Sequence, residues 1–188
     1  TLLHYDATHL LAAVAVSNIF LSFVYLPLTG LDTGTQPLVS KLFAANKKLH
    51  CMEVMRCGFL VTMLVTFIMY AVLMIFTGEL ASIFSEEPMT AEMITFMRMV
   101  FLFLPFIGIY TWLSGVMAAL EDEWRNIIIN LSPLFVQVPL IWLLPKFIPI
   151  EYVALSYSLQ DIAEASIAFF LVRGFLKSKG LSLKKIFS

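Results

Sequence analysis

The sequence predicts an all-α fold, a polytopic transmembrane helical bundle of about five spans. Two observations carry that expectation. Hydrophobic residues fill 60% of the 188 positions and charged residues 13%, against about 45–50% and about 25% in soluble domains, so there is too little polar surface to cover a water-soluble globule. The apolar residues also gather into segments of about 20, the length that crosses a bilayer while keeping every backbone hydrogen bond within the helix.

Taken in order, the first span covers 7–29 and continues through a Pro/Gly-rich stretch to 44. The second covers 58–76, the third 94–120, the proline-interrupted fourth 127–150 and the fifth 152–176, before a basic tail at 177–188. A basic loop, AANKKLHCMEVMR, follows the first span, and an acidic one, GELASIFSEEPMTAE, follows the second. Alternating crossings place Lys41, Lys47, Lys48, Arg56, Arg125, Arg173, Lys177, Lys179, Lys184 and Lys185 on one side, leaving Arg98 and Lys146 on the other. The excess of Lys and Arg marks the cytoplasmic side, so the C-terminus is expected in the cytoplasm of a cell-membrane protein. Five crossings then put the N-terminus outside. With no signal peptide before it and threonine at position 1, an upstream helix is expected.

The net charge of −1 recruits no nucleic acid. Cys51 and Cys57 lack CxxC spacing and read as free thiols. No HExxH, GxSxG or DxD motif occurs, and His4, His9 and His50 lie away from the middle of the bilayer, so neither an enzyme nor a bound cofactor is expected.

Two carboxylates stand inside the fifth span. Asp161 and Glu164 fall roughly 14 and 18 Å from Tyr152 at 1.5 Å per residue, near mid-membrane, where a charge costs about 2.5–3.5 kcal/mol or more. With Tyr157 and Gln160 they have the i, i+3, i+4, i+7 spacing of one helical face. Two such groups cannot both ionise cheaply, so one is expected to hold a proton near neutrality. This makes the pair either a site for an exchanging H⁺ or Na⁺, or an interhelical hydrogen-bond cluster. On the first helix Asn18, Ser22, Tyr25, Thr29, Asp32 and Gln36 fall within roughly 80° of one another. That stripe either lines a substrate cavity or, with Gly30 and Gly34, forms a packing seam. Asp32 is a further candidate for cation or proton coupling, or else is hydrated or paired with Lys41. Arg98 reads as snorkelling to the headgroups and Trp124 as an interfacial anchor.

The order of motifs resembles the multidrug and toxic compound extrusion (MATE) family. FVYLPLTGLDTGTQPLVSKLFAANKK is similar to its proline-containing helix that runs into Gly-x-x-x-Gly-x-Gln-Pro and an Asn-bearing turn. FLFLPFIGIYTWLSGVMAALED, PLFVQVPLIWLLP and SLQDIAEASIAFFLVRGFLK resemble the helices that follow it. The resemblance implies part of a twelve-helix, two-lobe transporter, with the Gln36-Pro37 pair and the basic tail pointing to the C-terminal lobe without its first helix. It also implies export of organic cations or amphipathic drugs by H⁺ or Na⁺ antiport with alternating access. The implied partners are membrane lipid, the amphipathic substrate and the upstream lobe of the same protein. A lipid-linked sugar flippase of related architecture is the alternative. Ala44 in place of a turn glycine, the acidic Glu121-Asp122-Glu123 loop and the additional Glu164 depart from the family pattern.

Overall fold

Seven α-helices and no strand make up the described residues, 10–84 and 90–181, of the computed structural model. Helix α1 (Leu11–Ala44) passes unbroken through Pro27 and Pro37, although each proline withholds a donor from the helix. Hydroxyls on the same helix bond other carbonyls beside these positions: Thr29 donates to the Tyr25 and Leu26 oxygens and Thr33 to the Thr29 oxygen. At 34 residues the helix is about 51 Å long, far more than a bilayer's hydrocarbon core needs. Its buried residues Ala13, Val16, Phe20, Val24 and Leu28 recur at helical spacing and define the face turned into the bundle.

Helix α2 (Lys48–Ile75) begins ten residues before the expected span, because Cys51 and Met55 are buried and draw the first three turns into the core. The acidic loop expected after it opens as a short helix, α3 (Thr77–Phe84), held by buried Ala81 and by Phe84 set edge-on against Phe20 at 5.4 Å. Its Glu86 and Glu87 lie outside the described residues.

The expected third span is two helices, α4 (Ala91–Phe101) and α5 (Pro105–Ala119). Pro105 has no N–H for the Phe101 carbonyl. The chain tightens there into three-residue bonds, with Leu104 N–H reaching the Phe101 oxygen at 3.1 Å. Ser158 of a neighbouring helix donates to the Met99 oxygen, with the Val100 oxygen also in reach. Helix α6 (Glu123–Leu143) follows, capped by Asp122 and ending in a 3₁₀ turn. The last helix, α7 (Leu155–Ser178), starts three residues later than expected after a second 3₁₀ segment.

Among the described residues four segments are long and apolar enough to cross a membrane: α1, α2, α4 with α5, and α6 with its 3₁₀ turn. Helix α7 has 24 residues, but Gln160, Asp161, Glu164 and its serines make it less apolar than the others.

The apolar core is divided into two clusters. One gathers Leu10, Phe20, Leu28, Met97, Phe101 and Ala154, the other Val39, Met55, Trp112, Met117, Ala168 and Leu176. The Gln160–Glu164 stretch of α7 falls between them. Helices α1, α5 and α7 all end on the side where α2 and α6 begin, each through a left-handed residue: Asn46, Glu121 and Gly180. In each case the next N–H reaches five residues back into the helix, as from Asp122 to Met117. Ser40 donates to the Ala119 oxygen and Lys48 to the Lys179 oxygen at 2.9 Å, drawing these ends together.

Two outcomes follow for stability in micelles, read by denaturant unfolding. Glu121→Gly should stabilise by about 1 kcal/mol, because glycine accepts the left-handed conformation without the Cβ clash. Ser158→Ala should destabilise by about 1 kcal/mol through the lost hydrogen bond to the break. No change for Ser158→Ala would mean that water reaches those carbonyls.

Candidate functional site

Helix α5 packs against α1 on one side and against α6 and α7 on the other, while α1 makes no substantial contact with α6 or α7. The bundle therefore has an open groove, with α4 and α5 as floor, α1 as one wall, and α7 and α6 as the other.

Asp161 and Glu164 sit in the α7 wall and are almost fully buried, at 8% and 3% exposure. Their spacing of three puts both on one face. Helix α7 starts at Leu155, so they lie roughly 9 and 14 Å along it, in its N-terminal half instead of at its centre. Gln160 donates its amide to Glu164 Oε1. Across the groove, the Tyr25 phenol of α1 is close enough to feel both carboxyls and Tyr110 of α5, and Tyr110 also feels Glu164. Among the described residues the electrostatic neighbours of the pair are thus each other, two phenols and an amide, with no lysine or arginine among them. Tyr157 is half-buried beside the first core cluster.

The α1 stripe divides in two. Asn18, Ser22, Tyr25 and Thr29 are exposed on the bundle surface, and the Ser22 and Thr29 hydroxyls donate to their own helix. A Cβ added at Gly30 or Gly34 would meet nothing within 4 Å, so among the described residues no helix packs on that pair. Asp32 is about 10 Å farther along α1 than Tyr25 and belongs to a separate cluster. Gln36 Nε2 donates to its Oδ2 at 2.7 Å, and its carboxylate lies where a side chain on Gly115 of α5 would have to go. Its hydrogen-bond partner is thus Gln36 and not Lys41.

With this geometry in view, the comparison with known families is decisive: the MatE family profile matches residues 2–143. This chain belongs to the MatE family. It is a multi-pass membrane protein of a transporter family, and the match runs from before α1 to the end of α6. No curated protein and no solved structure matches it. Within the MatE match lie Tyr25, Asp32, Gln36 and Tyr110, while the acidic pair of α7 lies beyond it.

The structure adds groove residues of this MatE chain that the sequence reading passed over. Ser114 Oγ donates to Asn126 Oδ1 at 3.0 Å, and Asn130 Nδ2 donates to Ser114 Oγ at 3.1 Å and to Asn126 Oδ1 at 2.8 Å. Tyr110 reaches Asn130 at 3.4 Å, and Gln137 reaches Ser156 of α7 at the same distance. The signal was present: Asn126, Asn130 and Gln137 recur at i, i+4 and i+11, a polar row on an otherwise apolar helix.

Gly115→Ala should displace the Asp32 carboxylate and cost about 1–3 kcal/mol, since a packed contact has no room for a methyl. Thermal unfolding in detergent measures it, and adding Asp32→Ala should restore most of the loss. A midpoint unmoved by Gly115→Ala would mean that Asp32 swings away freely.

Proposed function

We propose that this MatE chain works in a secondary active exporter of organic cations or amphipathic compounds, driven by H⁺ or Na⁺ moving the other way. The observation that carries this reading is the buried Asp161–Glu164 pair, facing two phenols across a groove and balanced by no cationic side chain among the described residues. Carboxyls at membrane depth are costly unless they are protonated, paired or bound to a cation. A pair without a cationic partner favours taking up a proton or a small cation, and loses it when the groove opens to the other side. Asp32, bonded to Gln36 on α1 about 10 Å beyond Tyr25, is a third carboxyl, on the opposite wall, for that ion to visit.

The substrate surface is the exposed part of α1, Asn18, Ser22, Tyr25 and Thr29, with Gln36, Gln160 and Tyr157 nearby in sequence or on the facing helix. An exposed polar stripe on a membrane helix fits a wall of an aqueous cavity better than a lipid contact. The remaining helices of a two-lobe transporter then form the opposite wall. A lipid-linked sugar carries phosphates and calls for basic residues, whereas the groove side chains named here are neutral or acidic. Lys and Arg concentrate at the end where α1, α5 and α7 finish, which the positive-inside rule assigns to the cytoplasm. On this reading the C-terminus is inside and the acidic pair is in the outer half of the membrane.

In liposomes loaded with a fluorescent cationic dye, the full protein should expel dye in response to an imposed H⁺ or Na⁺ gradient. Asp161→Asn and Glu164→Gln should each reduce that ion-driven efflux to the level of empty liposomes while the protein still folds. Efflux that survives the double replacement would make the pair structural, and efflux indifferent to both ions would reject antiport.

A further inference from the structure

Helix α6 has two exposed faces of opposite character. On one side Ile128, Leu131 and Phe135 are exposed, the surface expected against lipid tails. Asn130 is also exposed and Asn126 half-buried, on the side of α6 that meets Ser114 and Tyr110 of α5. Counting from Glu123, Asn126 lies roughly 5 Å and Asn130 roughly 10 Å into the helix, while Tyr110 is about 15 Å from Leu120 at the same end. These side chains therefore form a graded row, beginning one turn inside the α5–α6 turn and ending at the Tyr110 phenol, which bonds Asn130 at 3.4 Å and feels the charge of Glu164. An exposed carboxamide 10 Å into a membrane is unfavourable against hydrocarbon. Its bonds to Ser114 and Asn126 leave amide and hydroxyl atoms able to bond further molecules on the open side.

We propose that Asn126, Ser114, Asn130 and Tyr110 line a wet lane through which the coupling ion travels between the α5–α6 turn and the Asp161–Glu164 pair. The ion's role rests on the antiport reading given above; the wetness of the lane does not. Amide and hydroxyl oxygens along the row suit a hydrated proton or Na⁺ and offer no fixed charge that would trap it. The apolar face of α6 formed by Ile128, Leu131 and Phe135 lies about 100° or more from Asn126 and Asn130 around the helix and keeps lipid on the other side.

The experiment uses the full chain in liposomes with Cys51 and Cys57 replaced by alanine. Single cysteines are introduced by Asn126→Cys, Asn130→Cys and Ser114→Cys in the row, and by Ile128→Cys and Phe135→Cys on the apolar face. A charged, membrane-impermeant thiosulfonate should modify the row positions at least about tenfold faster than the apolar ones, because the reacting thiolate forms only in contact with water. Asn130→Leu should slow ion-driven dye efflux by about tenfold, the scale of one lost polar contact, and leave the amount of folded protein unchanged. Row thiols that react only with an uncharged, lipid-soluble maleimide would overturn the lane, even if efflux remains ion-driven. Fast reaction at the row with efflux unaffected by Asn130→Leu would overturn the ion's use of it. Failure of antiport shows separately, as efflux indifferent to both gradients in the unmodified protein.

Discussion

Pro105 has no proton to donate, and the interior of a bilayer has no water to replace the missing bond. At the break between α4 and α5 the Phe101 carbonyl is taken by Leu104 N–H of the same chain segment, and Ser158 of another helix adds a donor to the neighbouring Met99 and Val100 oxygens. That bond brings α7 against the break one turn before Asp161, and so sets the height at which the acidic pair meets Tyr110 and Tyr25. A kink in one helix thereby fixes the position of charged groups on another.

The division of the core has a related effect. One apolar cluster closes around Phe20 and Phe101, the other around Trp112 and Leu176, and the carboxyls of α7 lie in the gap between them. Apolar packing lies above and below on α7, while the level of the pair is lined by phenols and amides. The ion-exchange role proposed for the pair calls for this combination, a fixed frame around groups whose own electrostatic balance is left incomplete.

Much of this was legible from residue order. The all-helical membrane fold follows from long apolar runs, and the MatE resemblance from GLDTGTQP and the helices after it. The single face shared by Gln160, Asp161 and Glu164 follows from their spacing. Other features were not legible. The span expected at 94–120 contains a proline, and a proline in a helix can bend it, break it or leave it whole; Pro27 and Pro37 leave α1 unbroken, whereas Pro105 separates α4 from α5. The difference lies partly in a hydroxyl 53 positions away in the chain, Ser158, which local sequence cannot report. Asn126 and Asn130 were visible as a polar row, but their meaning required knowing that Ser114 and Tyr110 face them.

By itself the sequence determined the class of solvent, the helical repertoire, the family and which side chains are too polar for lipid, because these depend on composition and on periods of 3.6 residues within one segment. Only the tertiary structure decided that Asp161 and Glu164 share a groove with Tyr25 and Tyr110, and that Asp32 belongs instead with Gln36 and Gly115. It also decided that the Gly30–Gly34 face is left unpacked by the described helices. Those outcomes depend on how far each helix is rotated and shifted against its neighbours. Donors and acceptors from different segments set that rotation and shift, and their pairing is a property of the packed bundle alone.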